Sequence, residues 1–272
     1  MMTTVCTRYL VALALLITMF TACTSVAYTE RRQLSLVSDA ELASTADRNF
    51  ENFMRANSHR IVLASEAPEV VVVVERVSDR VIEASGMRGK RDWETIVVKS
   101  REANAFVLPN GKIVVFTGLL PIVKDESGLA AVLGHEVAHV LARHSAERMS
   151  QQIAAQGTLK MVNVAGEILG ASTPKLKAYL PSANAALGLG AQYGVILPYS
   201  RVHESEADRI GLTLAAKAGY DPEAAIGVWE RMQERNGNGP WEFLSTHPSP
   251  STRIAQIRSY LPEAKAHFRN GS

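Results

Sequence analysis

Residues Leu129 to Leu141 read LAAVLGHEVAHVL. The run is apolar, holds no proline and suits a helix. Within it, His135-Glu136-Val137-Ala138-His139 sets two imidazoles four residues apart, which on a helix is one turn along one face. Two imidazole nitrogens so placed can reach one ion at about 2.0–2.1 Å. Glu136 lies beside them and can touch a water on that ion without binding the ion itself. A His-Glu-His group in so apolar a helix is expensive unless it is paired or metal-bound. With seven histidines in the chain, chance produces this pattern about once in a hundred such chains, so two incidental surface histidines are the weaker reading.

A catalytic zinc keeps three protein ligands and a water, so a third ligand must come from elsewhere. The cysteines are Cys6 and Cys23 alone, and Cys6 lies in a segment expected to be removed, which leaves His, Glu or Asp to bind the ion. The best segment is Ser200 to Gly211, SRVHESEADRIG, with His203, Glu204, Glu206 and Asp208 on an expected helix. Spacing alone does not choose among them. Glu204 and Asp208 share a face, so one can bind the ion while the other supports it. A solvated acidic helix face is the competing reading. His144 falls five residues after His139 and is expected to turn away, as a capping or surface residue. His59 and His267 have no evident partner.

The rest of the chain is ordinary in composition: 47% hydrophobic and 21% charged, with 29 basic and 27 acidic residues for a net charge of +2. That suits one globular domain with a real core and excludes nucleic acid as an expected partner. Asp39 is placed to cap a helix running to about Asn57, with Leu42, Ala46, Phe50 and Phe53 at helical spacing. Pro68 suits the first turn of a second helix through Ser85. Its valine run could equally be a strand, but Val77, Val81 and Ile82 continue the helical spacing. Trp93 to Lys99, Asn104 to Leu108 and Lys112 to Thr117 read as strands, the last two joined by the turn Pro109-Asn110-Gly111. Together they predict a small antiparallel sheet. After Gly118 the chain reads as helical almost to its end, with a polar, loose tail from 263 to 272. Residues 149–191 suit helices or a mobile lid, and Met149, Leu159 and Met161 in that stretch read as packing.

The first residues form a separate segment. Arg8 precedes the uncharged run Tyr9 to Phe20, followed by Thr21, Ala22 and Cys23. This is the pattern of an export signal, and the run of about 12 residues is short of the roughly 20 a spanning helix needs. The small residues before Cys23 resemble a bacterial lipobox, which implies cleavage after residue 22 and lipid on Cys23. On this reading 1–22 is the signal, 23–38 a lipid-anchored tether and 39–262 the folded domain. Thr24 is not the Asp that commonly retains lipoproteins at the inner membrane. The expected place is therefore the periplasmic face of the outer membrane, with the membrane a partner through the lipid.

Several short motifs recur in one order: Asn104-Ala105-Phe106 with Pro109 and Gly111, then His135-Glu136-Val137-Ala138-His139, then Glu204-Ser205-Glu206-Ala207-Asp208, then Thr246-His247-Pro248 with Arg253. This ordered set resembles the HtpX-like and CAAX-prenyl-protease-like family of zinc endopeptidases, over roughly residues 65 to 260. The lack of apolar spans after residue 20 is similar to its soluble, periplasmic BepA-like branch. The resemblance implies a mainly helical α+β domain of the zincin type, with the small sheet beside the active-site helix. It implies one zinc per chain on His135, His139 and Glu204, with Asp208 supporting a zinc histidine and Glu136 as general base. It also implies that His247 and Arg253 lie near the site, either stabilising the oxyanion or, for His247, blocking the open zinc position. Asn104, Ala105 and Phe106 read either as an edge strand to which an extended substrate adds or as an ordinary internal strand. The implied substrates are unfolded or misassembled proteins of the cell envelope. The alternative is a chaperone or adaptor on the same fold.

Overall fold

The computed structural model describes residues 23–26, 28–154, 200–235, 247 and 252–268. The export signal, Leu159 and Met161, Thr246 and Pro248, and the last four residues of the expected tail lie outside them.

Two short strands, β1 (Cys23–Ser25) and β2 (Arg32–Leu34), form an antiparallel hairpin. Residues read from the sequence as a tether are thus paired, and Val26 is buried. Helix α1 spans Asp39–Asn57, and its cap is Ser38 rather than Asp39. The Ser38 side chain accepts from Glu41 N while the Glu41 carboxylate accepts from Ser38 N, so two otherwise orphaned backbone donors are satisfied. Helix α2 runs Pro68–Ser85, with Pro68 in its first turn. Its valines form a helix despite their strand preference because Val71, Val74, Val77, Val81 and Ile82 bury one continuous stripe.

Strands β3 (Glu94–Val98), β4 (Ala105–Val107) and β5 (Lys112–Phe116) make one sheet in the order β3-β5-β4. It is mixed rather than antiparallel: β4 pairs β5 antiparallel, but β3 pairs β5 parallel. The reason lies in β5, which is buried at every residue. A strand buried on both faces takes the central place, so β5 lies between β3 and β4. The β4–β5 turn needs Gly111, whose φ is +100°. Phe53 of α1 meets Phe106 and Phe116 of the sheet edge-on, with ring centroids 5.5 and 6.2 Å apart.

Helix α3 (Glu126–Leu141) is capped by Asp125 and buried from Gly128 through Val140. The chain turns at Ala142 and Arg143 into helix α4, residues 144–154. Helix α5 (Arg201–Lys217), capped by Ser200, packs along α3, and α6 (Ala224–Arg235) and α7 (Arg253–Lys265) cover the other side. Helix α7 continues through Pro262 to Lys265, with Leu261 and Ala264 buried, so residues 263–265 belong to the fold and not to a loose tail. The architecture is α+β and mainly helical, with the small sheet against α3. No helix among the described residues is long and apolar enough to cross a membrane.

Candidate metal centre

The site exists because α3 and α5 approach unusually closely. A Cβ on Gly134 would meet the Gly211 carbonyl oxygen at 2.6 Å, and a Cβ on Gly211 would meet His135 N at 2.6 Å. Only hydrogen fits at both positions. On α5, Glu204, Asp208 and Gly211 fall at i, i+4 and i+7, one stripe facing α3. The crossing therefore delivers two carboxylates to the histidines of α3.

His135, His139, Glu204 and His247 each offer one ligand atom, all within 4.8 Å of one another, and all four residues are buried. His135 Nε2 and His139 Nε2 lie 3.0 Å apart. Glu204 oxygens lie 3.5 Å from each of them. His247 Nδ1 is 3.2 Å from His135 Nε2 and 3.1 Å from Glu204 Oε1. Ligands at 2.0–2.1 Å on a tetrahedral ion stand about 3.3 Å apart. The donor set and its spacings therefore fit such an ion, with His247 taking the fourth corner.

His135 and Glu204 are held from behind. His135 Nδ1 contacts Asp208 Oδ1 at 2.8 Å, the orientation that leaves Nε2 for the ion. Arg253 is buried and lies against the face of Trp229, 3.6 Å from its ring centroid. Its guanidinium donates to Asp208 Oδ2 and Oδ1 at 2.8 and 2.7 Å and to Glu204 Oε2 at 2.8 Å. Arg253, expected as a possible oxyanion donor, thus spends its fork on the carboxylates of Glu204 and Asp208. Burial alone would lower the His135 imidazole, but Asp208 and Glu204 outweigh it and raise it to about 9. Burial also opposes the charge on Glu204, yet His247 and His135 hold its carboxyl well below the usual range. Burial and the neighbouring His135 keep His139 neutral.

Glu136 is buried, and burial raises its carboxyl above the ordinary value. Its Oε1 makes no hydrogen bond among the described residues and lies 3.4 Å from His247 Nε2. A buried carboxylate oxygen left in this way suits a group awaiting a water or substrate. Asn104, Ala105 and Phe106 lie at and just before β4, an edge of the sheet among the described residues, with β4 against α3. Cys23 lies in β1.

His203 and Glu206, open alternatives for the third ligand, lie on the neighbouring face of α5 and point elsewhere. His203 Nε2 is 3.0 Å from Glu147 Oε2, and Glu206 Oε2 is 2.9 Å from His144 Nε2. The surface position expected for His144 is wrong. It is fully buried, and its Nδ1 lies 2.8 Å from His139 Nδ1. The helical count fails because α3 ends before it. Arg143 adopts φ +56°, and that left-handed corner swings the chain back beneath His139.

The model of peptidase family M48 matches residues 70–261. The mitochondrial metalloendopeptidase OMA1 of Schizosaccharomyces pombe is 38% identical over 226 residues, covering 80% of this chain and 63% of that protein. The mitochondrial metalloendopeptidase OMA1 of Homo sapiens is 37% identical over 64% of this chain and 33% of its own length. The β-barrel assembly-enhancing protease of Escherichia coli is 33% identical over 62% of this chain and 34% of its own length. The chain spans less than two thirds of each of these relatives. They correct the expected localisation. Relatives of higher identity are mitochondrial by name, and the β-barrel assembly protease matches less well, so the outer-membrane and periplasmic placement and the lipoprotein branch are not upheld. A short apolar run behind one arginine carries too little chemistry to fix a compartment.

Proposed function

Because this chain belongs to peptidase family M48, we propose that it is a zinc-dependent endopeptidase. The observation that carries the reading is the convergence of His135, His139 and Glu204 donors beside a buried Glu136. Zinc held there would supply a Lewis acid for the scissile carbonyl and lower the pKa of an attacking water. Glu136 takes the water's proton and returns it to the leaving amine, a task suited to a carboxylate that burial has made more basic. Asp208 and Arg253 hold His135 and Glu204 in place throughout. The edge position of β4 supports a substrate that adds as a further strand. A folded protein cannot offer such a strand, so the substrates are unfolded or misassembled chains.

His247 occupies the corner that water or substrate would need, 3.1 Å from Glu204 and 3.4 Å from Glu136. This supports a resting protein in which His247 blocks its own site and must leave before catalysis.

The test is cleavage of unfolded casein by the full chain and by Glu136→Gln, with zinc measured in both. Glu136→Gln should keep its zinc and lose about 10²–10⁴-fold in kcat/KM. Equal cleavage by both would sink the assignment. Loss of cleavage with biological function intact would favour the chaperone or adaptor.

A further inference from the structure

Behind His139 lies a second buried cluster that the proposed hydrolysis does not use. It holds His144, His203, Glu147 and Glu206, and it is closed by Arg31 and Thr29 from the N-terminal hairpin. We propose that this hairpin is a working part of the metal centre: Arg31, with Thr29, positions the ligand His139 through Glu206 and His144. The inference rests on His139 being a metal ligand, as proposed above.

The hydrogen-bond polarity fixes the tautomer of each histidine along the connection. A neutral His139 that presents Nε2 to an ion carries its proton on Nδ1 and donates it to His144 Nδ1, 2.8 Å away. His144 must then carry its own proton on Nε2, which donates to Glu206 Oε2 at 2.9 Å. Glu206 Oε1 accepts from the Thr29 hydroxyl, and Oε2 also accepts from Arg31 Nε at 2.9 Å. Donation therefore converges on Glu206 from both ends, from His139 through His144 on one side and from Arg31 and Thr29 on the other, so the hairpin guanidinium and hydroxyl fix the carboxylate that orients His144. A ligand histidine is tuned by what its other nitrogen meets.

A parallel support fixes the His144 ring. Arg31 also grips Glu147, at 3.0 and 2.7 Å. Glu147 holds His203 at 3.0 Å, and the His203 ring stacks on His144 with centroids 4.4 Å apart. The chain after the hairpin clamps the corner that aims His144. Arg143 donates to Ser35 Oγ and Val37 O and pairs with Asp39 at 2.7 Å, while Leu36 N donates to Ser150 Oγ on α4. Tyr28 and Glu30, flanking Thr29, both take positive φ, 74° and 55°. Such backbone costs free energy in residues other than glycine and persists where the surroundings over-determine it.

The experiment compares the full chain with Arg31→Ala, Arg31→Lys and Thr29→Val, using zinc alone as the probe in competition with a chromophoric chelator. Apo-protein melting is measured alongside. The exposed pair Arg88–Asp79 supplies a control, Arg88→Ala. Arg31→Ala should weaken zinc binding by about 10–100-fold. Thr29→Val should weaken it less, Arg31→Lys should recover part of the loss, and Arg88→Ala should change nothing. The cobalt(II) forms of the Arg31 and Thr29 variants should show altered visible spectra, because the ligand set itself is disturbed. Should Arg31→Ala fail to fold, Thr29→Val carries the same test. Wild-type zinc affinity and an unchanged cobalt spectrum in Arg31→Ala, or in Thr29→Val where that variant stands in, would overturn the hairpin's role and leave the peptidase reading intact. A wild-type chain that binds no zinc would overturn both.

Discussion

Gly134→Ala puts a methyl group where α3 and α5 cross. That carbon would lie 2.6 Å from the Gly211 carbonyl oxygen, about 0.8 Å inside ordinary van der Waals contact. Backbone faces backbone here, so no flexible side chain can give way and the helices must separate by most of that distance. His135 and His139 sit on one helix and Glu204 on the other. Metal–ligand distances tolerate only about ±0.2 Å, so the displacement exceeds the tolerance several-fold. Overpacking of this kind costs about 1–3 kcal/mol, less than the 5–15 kcal/mol typical of a domain, so the variant still folds. The apo protein should melt roughly 3–10 °C lower. Zinc affinity should fall by about tenfold or more, in line with other losses of ligand support. Chelator competition, melting and casein cleavage on the same sample separate these effects. Wild-type zinc affinity and kcat/KM in a folded Gly134→Ala would show that the helix crossing does not set the ligand geometry.

The pH dependence of zinc uptake follows from His135, which burial lowers but Asp208 and Glu204 raise to about 9 in the ion-free protein. At neutral pH the ion must displace that proton, so affinity should climb by about tenfold per pH unit and level off above about pH 9. Ion-free stability runs the other way. The share from His135 is complete below its ordinary 6.5 and is lost as pH rises through about 9; chelator titrations and melts across this range check both, and a flat affinity profile would count against the assigned contacts. His247→Ala should raise casein cleavage, by about tenfold if the blocked form outnumbers the open one ten to one, and unchanged or lower cleavage would show that His247 assists instead.

Much of the fold was legible where one period dominated. The stripe from Val71 to Ile82 overrode the strand preference of the valines, and Pro68 and Ser85 bound the helix as the spacing predicts. Strand order was not legible. An apolar strand such as Lys112 to Phe116 declares that it is buried, but its residues do not say which neighbour lies on each side. The turn at Gly111 made β4 and β5 adjacent, and the placement of β3 beside β5 rather than β4 is a long-range choice made by burial. The hairpin at residues 23–34 was missed for a different reason. Its strands are three residues long, too short for any alternation to register, and its loop uses Tyr28 and Glu30 at positive φ where glycine or asparagine would have signalled a turn.

The site divides along the same line. Helical spacing alone joined His135 to His139 and Glu204 to Asp208, because each pair lies on one face of one helix. It could not choose Glu204 over Glu206, since both glutamates face buried histidines and differ only in which histidine they meet. The resolving feature is Gly211, seven residues beyond Glu204, which marks the face of α5 that can approach α3; a glycine inside an apolar helix is a legible signal of close backbone contact. His144 defeated the count because a single residue, Arg143, takes the left-handed conformation and resets the helix phase. Nothing in the identity of an arginine announces that. Its clamp by Ser35, Val37 and Asp39 comes from residues more than a hundred positions earlier. The contacts behind a proposed metal ligand thus come partly from a segment whose own sequence looks like a linker, and such a segment is read correctly only once the buried charges it meets are known.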